Sequence, residues 1–217
     1  MNVVGIAFEH QAVPLGGSKI GGRPHVSRDF AWPGDLAFVA QINFAECKPC
    51  DPADLLPSAG IMYLFSTCDE EDVIDGDEDA FAVRYHRGPL SDLTVHPFPD
   101  ALDETEGQFV ERRMIFTPSS MLAAEDELDE DISAALGRVD SEARMLGRPD
   151  FFRPELEGAF DPATDTLLLA LPGMRLWRGA DDRASIYGDG GFFVTISTDA
   201  LRNEKIEDAW ALFEAGT

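Results

Sequence analysis

The chain reads as an α+β protein, mainly β, in which two like units pack into one compact body with few short helices. Three observations predict this. Short β-friendly apolar runs bounded by Gly and Pro recur along the chain, as in Ala37–Ile42, Ile61–Ser66 and Thr166–Leu171. Only one long stretch, 119–139, carries a helical stripe, formed by Leu128, Ile132, Ala135, Leu136 and Val139. The third observation is an internal echo. Ile20-Gly21-Gly22-Arg23-Pro24 is answered by Met145-Leu146-Gly147-Arg148-Pro149, then Phe38–Ile42 by Leu167–Leu171, then Gly60–Phe65 by Gly191–Ile196, all in the same order. Two copies are too few for a solenoid, so a pseudo-symmetric single body is expected. The reading is one domain over 1–217, with repeats at approximately 16–118 and 144–214 and a helical connection at 119–139.

Taken in order, Val3–His10 is a short apolar first strand. Pro14–Gly22 is Gly-rich and reads as a loop with several positive-φ positions. Trp32-Pro33 is extended or turn, because Pro disfavours helix in the residue before it; the indole caps the core. Ala37–Ile42 is a buried strand, and its polar Gln41 would need partners inside. Asp51–Pro57 reads as loop or a short helical turn, with Asp51 as cap and Pro52 in the first position. Ile61–Ser66 is a strand, 68–80 an acidic hairpin loop, and Phe81, Val83 and Tyr85 alternate with polar neighbours as a half-buried strand does. Leu93–Val95 and Gln108–Phe116 are strand-like. In the second unit Thr166–Leu171 is a buried strand stopped by Pro172-Gly173, and Phe192–Ser197 is another. Ser197 or Thr198 caps a short helix over Asp199–Asn203, and Ala209–Phe213 is a last strand.

Charge narrows function. The 217 residues hold 41 acidic against 17 basic side chains, a net charge of −24. Phosphate contact needs clustered Lys and Arg, so nucleic acid is excluded as a partner, and anionic membrane surfaces with it. An acidic skin keeps a protein soluble, and it also steers a basic partner toward it. The stretch 1–17 lacks a basic start and a long apolar run, so it reads as neither signal peptide nor membrane span, and a cytoplasmic protein is expected.

Catalytic signatures fail one by one. Gly17-Ser18-Lys19 has the wrong order for a phosphate-binding P-loop, and Gly188-Asp189-Gly190-Gly191 precedes a strand where a dinucleotide fingerprint needs a helix. Counted from Asp75 as a calcium loop, the sixth and twelfth positions hold Ala80 and His86 rather than Gly and Glu. The three cysteines include a Cys47-Lys48-Pro49-Cys50 pair, which lacks both a second pair for zinc and the context of a redox motif. His10, His25, His86 and His96 show no ligand spacing. No cofactor and no metal are expected, and no catalytic residue. If a groove between the units binds a ligand, Lys19, Gln41 and Asp189 are the polar side chains placed to line it.

Ser18–Pro24, Phe38–Asn43 and Ala59–Phe65, with Leu146–Pro149, Leu167–Leu169 and Gly188–Val194, resemble the YwqG-like family of uncharacterised bacterial proteins. The resemblance covers about Gly16 to Phe213 and implies a mostly β, duplicated α+β fold, with no established activity to carry over. It also implies a possible immunity role, since some relatives are thought to sit near toxin genes. Ala170 and Pro172 depart from the Gln and Asp that the family tends to show after the leucine run, and Tyr187 replaces the usual Trp before Gly188. The expected function is therefore a non-enzymatic acidic module that binds a basic protein, of the kind that neutralises a toxin. The alternative is a small-molecule or metal-dependent enzyme using the inter-unit groove.

Overall fold

A computed structural model describes residues 1–67, 79–102, 107–120, 143–149, 158–172 and 191–214. The expected helix over 119–139 lies outside these apart from Ser119 and Ser120, which continue a strand. Asp189, Cys68, Trp177 and most of the acidic 68–80 loop lie outside them too.

The described strands are β1 (Asn2–Glu9), β2 (Lys19–Ile20), β3 (His25–Ser27), β4 (Ala37–Asn43), β5 (Ile61–Ser66), β6 (Phe81–His86), β7 (Leu93–Val95), β8 (Arg112–Ser120), β9 (Arg144–Met145), β10 (Asp165–Pro172), β11 (Gly191–Ser197) and β12 (Trp210–Glu214). Among the described residues there are also two short helices, α1 (Phe44–Cys47) and α2 (Thr198–Arg202), and three 3-10 turns. The fold is mostly β, as expected. Ten strands form one sheet in the order β12-β11-β10-β9-β1-β8-β2-β4-β5-β6, and β3 pairs with β7 in a two-stranded ribbon. Every pairing in the sheet is antiparallel, centred on the long β1–β8 rung that runs from Asn2↔Ser120 to Glu9↔Arg113. The sheet curls until edge strand β12 lies beside edge strand β6, with the 3-10 turn Ile206–Asp208 packed on β6.

Differences from the expected boundaries have local causes. The strand expected at Gln108–Phe116 starts later and runs through Pro118. That proline is tolerated because β2 covers β8 only at Arg112 and Arg113, so the rest of β8 pairs with β1 alone. Pro172, paired with Gly191, is the last residue of β10. Of the two readings of Asp51–Pro57 the loop is the one that forms, and helix α1 and a 3-10 turn at Lys48–Cys50 precede it. Asn43 caps α1 by accepting from the Ala45 amide at 3.1 Å. Asp51 instead accepts the Leu56 amide at 2.7 Å, closing a loop. Two short strands, β2 and β3, form inside and just after the stretch read as loop.

Two bulges decide which side chains face which way. In β4 the register shifts between Phe38 and Ala40. Ala37, Val39, Ala40 and Ile42 therefore all join the main core, while Phe38 packs in a second cluster on the opposite face with Val26, Tyr63 and Phe65. One extra residue inverts the alternation from that point on, which sends Gln41 to the side where β3 lies. In β10 the shift falls between Leu167 and Leu169; Leu168, Leu169 and Leu171 enter the main core, and Leu167 and Ala170 pack with Phe160 and Phe193. Trp32 covers the second cluster: its indole donates to the Leu36 carbonyl at 2.8 Å and meets Phe65 edge-on at 5.2 Å.

Candidate functional site

The bulge, the glycines after β2 and the β3 strand converge on one buried polar corner. Lys19 pairs with Gln41 across β2 and β4, and with Arg113 across β2 and β8. Gly21 and Gly22 then turn the chain at φ 63° and 69°. A Cβ on Gly21 would stand 2.5 Å from the Val110 carbonyl oxygen, and one on Gly22 the same distance from a Glu111 carboxylate oxygen. Only glycine lets the turn pass this close to the chain beside β8. The turn returns Arg23 and His25 to Lys19, and it lets Glu111 fold back onto the lysine.

The resulting contacts are dense. The Lys19 amine, fully buried, donates to the Arg23 carbonyl at 2.5 Å and to Glu111 Oε2 at 2.7 Å, and it lies 3.2 Å from His25 Nε2. The other imidazole nitrogen, Nδ1, accepts the Gly16 amide at 3.0 Å and faces Gln41 Nε2 at 3.2 Å. Gln41 Oε1 accepts the His25 amide at 2.8 Å, and its Nε2 donates to the Gly17 carbonyl at 2.7 Å. Tyr63 donates to the His25 carbonyl at 2.7 Å. Ser18 and Asn43 tie down the same loop: the Ser18 hydroxyl accepts the Asn43 amide, Asn43 donates to the Gly16 carbonyl, and the Ser18 amide donates to Glu46.

Burial dominates the electrostatics. Desolvation, partly offset by hydrogen bonding and attraction to Glu111, pulls the Lys19 amine below its usual range. Desolvation and then the neighbouring Lys19 charge push His25 down to about 4. The Tyr63 phenol is pushed up by burial. A lysine, an imidazole and a carboxylate thus meet within hydrogen-bond reach, an acid–base set that reaches the surface through Glu111 alone, whose side chain is 37% exposed.

Of the three side chains expected to line a groove, Lys19 and Gln41 come together on one rung, and both spend their hydrogen bonds on the chain's own atoms; Asp189 lies outside the described residues. His25 and Glu111 belong to this corner and were missed. A single His carries no spacing signal, and nothing local marks Glu111 among 41 acids. The one usable hint is a Lys beside Ile20 in a chain with three lysines.

Other features resolve in structural terms. Cys47 and Cys50 are free and buried; desolvation pushes the Cys47 thiol up to about 12, away from a reactive thiolate. Lys48 donates to the Leu56 carbonyl at 2.6 Å and bridges Asp51 and Asp54. Among the described residues no group of His, Cys, Asp and Glu could hold a metal ion, and no helix is long and apolar enough to cross a membrane. A cleft of about 210 Å³ lies where β3 meets β6, lined by Ser27, Phe30, Tyr63, Arg84, His86 and Glu207 among others.

A family model described as a domain of unknown function, DUF1963, matches residues 18–214. The chain belongs to that family. The match takes in the side chains of the polar corner, from Ser18 through Glu111, and strands β2 to β12, so those side chains are part of the DUF1963 domain itself. No curated protein matches the chain.

Proposed function

We propose that this DUF1963 domain is a non-enzymatic binding protein whose anionic surface receives a basic protein. One observation carries the reading: a net charge of −24 in a chain that also turns cations inward. Arg144 is 4% exposed, and Lys48 is held between two aspartates. Hiding positive charge leaves the outside more anionic than composition alone requires. Such a field raises association rates with a basic partner and makes binding salt-sensitive. An immunity protein that neutralises a basic toxin in the cytoplasm, as the resemblance to the YwqG-like family implies, is the specific form. Recovery of the native protein with its partners at low and at high salt tests it. A basic protein retained at low salt and released at high salt is the expected result; no basic protein at either salt sinks the reading.

The runner-up is a small-molecule enzyme, favoured by the Lys19–His25–Glu111 set. It requires saturable thermal stabilisation by one compound class that disappears in Lys19→Ala.

We also propose that the sheet arose by duplication. Strands β8-β2-β4-β5-β6 and β1-β9-β10-β11-β12 run outward from the central rung in the same manner. Lys19↔Gln41 matches Arg144↔Ala170, the bulges match, and the turns match at Gly21-Gly22 and Leu146-Gly147, whose φ values are 63°, 69°, 65° and 85°. With repeats counted from β1 to β6 and from β8 to β12, each half of the sheet would take its central strand from the other repeat. Expressing the two halves separately tests this: they should assemble into the native sheet, and folding of either alone would contradict the exchange.

A further inference from the structure

The hydrogen bonds in the polar corner determine which atoms carry protons. Three of the contacts to His25 Nδ1 and Gln41 leave no choice. A backbone amide can only donate, so the Gly16 N–H makes Nδ1 an acceptor. The His25 N–H likewise makes Gln41 Oε1 an acceptor, and the Gly17 carbonyl makes Gln41 Nε2 a donor; the amide's second N–H then also points at Nδ1. With Nδ1 bare, a neutral imidazole carries its proton on Nε2, the atom 3.2 Å from the Lys19 amine. An ammonium there would set N–H against N–H. A neutral amine fits: it has two N–H groups, which go to Arg23 O and Glu111 Oε2, and one lone pair, which accepts from Nε2–H.

We propose that Lys19 is a neutral amine in the folded protein at neutral pH and that its protonation is a switch which releases the loop from Gly16 to Pro24. The groups facing it are few. Glu111 approaches from the chain before β8, Arg113 is its rung partner on β8, Gln41 comes from β4, and His25 from β3; Glu46 of α1 holds the adjoining Ser18 amide. Only Glu111 favours the ammonium directly, and burial opposes it. When the amine takes up a proton, the new N–H⁺ meets Nε2–H and the two donors must part. His25 cannot turn without surrendering Gly16 at Nδ1, so the opening passes to the loop. The device is independent of the proposed partner: it concerns the loop's closure, whatever the surface binds.

The chain's three lysines, Lys19, Lys48 and Lys205, make the test direct. Nitrogen-15 NMR of lysine- and histidine-labelled full-length protein, with Lys19→Met and His25→Asn for assignment, reports protons on each nitrogen. At pH 7.5 the expected Lys19 side chain is an amine, while Lys48 and Lys205 are ammonium, and the expected His25 has a bare Nδ1. Amide exchange protection at Gly16 should fall at least tenfold over the pH range in which Lys19 gains its proton. An ammonium at Lys19 at pH 7.5, a protonated Nδ1, or unchanged Gly16 protection across that titration would each overturn the proposal.

Discussion

Two corners of the sheet use the same device and differ in one respect. In the first, Lys19 reaches four residues ahead to the Arg23 carbonyl at 2.5 Å; in the second, Arg144 reaches four residues ahead to the Arg148 carbonyl at 2.8 Å. Both basic side chains are buried, and both lead onto a left-handed turn. Opposite them, however, stand Gln41 in one case and Ala170 in the other. The next rung partners differ in kind as well: Tyr63 faces Gln41 on β5, where Phe193 faces Ala170 on β11. The basic side chain and the turn are therefore the common frame that closes a loop onto the sheet. Among the described residues, the amide, imidazole, phenol and carboxylate are additions seen in the first corner. What is specific to this protein's first half resides in those additions, and experiments that erase them one at a time should make the first corner behave like the second.

The largest effect is expected where the frame itself differs. Leu146 occupies its left-handed position with an ordinary side chain, but Gly21 sits against the Val110 carbonyl. Gly21→Ala adds backbone strain and a clash that only main-chain movement relieves, so about 3–5 kcal/mol of unfolding free energy should be lost in urea denaturation. Gln41→Ala converts the polar rung to its counterpart and strands the His25 amide and the Gly17 carbonyl indoors. Each buried group left unpaired costs about 1–3 kcal/mol, and a loss of about 2–4 kcal/mol is expected by the same measurement.

The imidazole exists in the first corner alone, which gives that corner a pH dependence. His25 titrates near 6.5 when unfolded and is held down to about 4 when folded. Between those values the unfolded chain binds a proton that the native state does not. Stability therefore falls as pH drops through 6.5 and levels off below about 4. The shift is worth up to about 3 kcal/mol, and denaturation at pH 7 and pH 4 should show a loss of stability that is smaller by about this amount in His25→Asn than in the wild type. The smallest change is Tyr63→Phe, which makes the rung match Phe193 and removes one hydrogen bond to the His25 carbonyl. A loss of about 1 kcal/mol is expected, with little change in fold by circular dichroism.

The same contrast explains what could be read without coordinates. Strands β5, β6 and β7 stand where apolar alternation and Gly or Pro boundaries put them, because burial alone decides them. The pairs β2 and β3 were hidden by glycine density: two residues of ladder between turn residues leave no periodicity to read. The bulge in β4 is equally silent, since Phe38-Val39-Ala40 is apolar whichever way each residue faces, yet it decides that Gln41 points at His25. Gln41 stood out as a polar residue in an apolar strand and Lys19 lay in the stretch read as loop, and they do meet on one rung. Their partners could not be found, because His25 and Glu111 join them through a turn whose path depends on close approach to Val110. Helix α1 was displaced in the reading because Asp51-Pro52 is the stronger local cap signal, whereas Asn43 caps only after β4 has delivered it.

The comparison between the corners is tested most directly by amide hydrogen exchange across both turn loops, in the wild type and in Gln41→Ala. The account expects protection to fall at Gly16 and His25 in the variant, while Leu146, whose amide bonds to Leu167 at 2.8 Å, exchanges as before. Equal loss in both loops, or no loss in either, would contradict it.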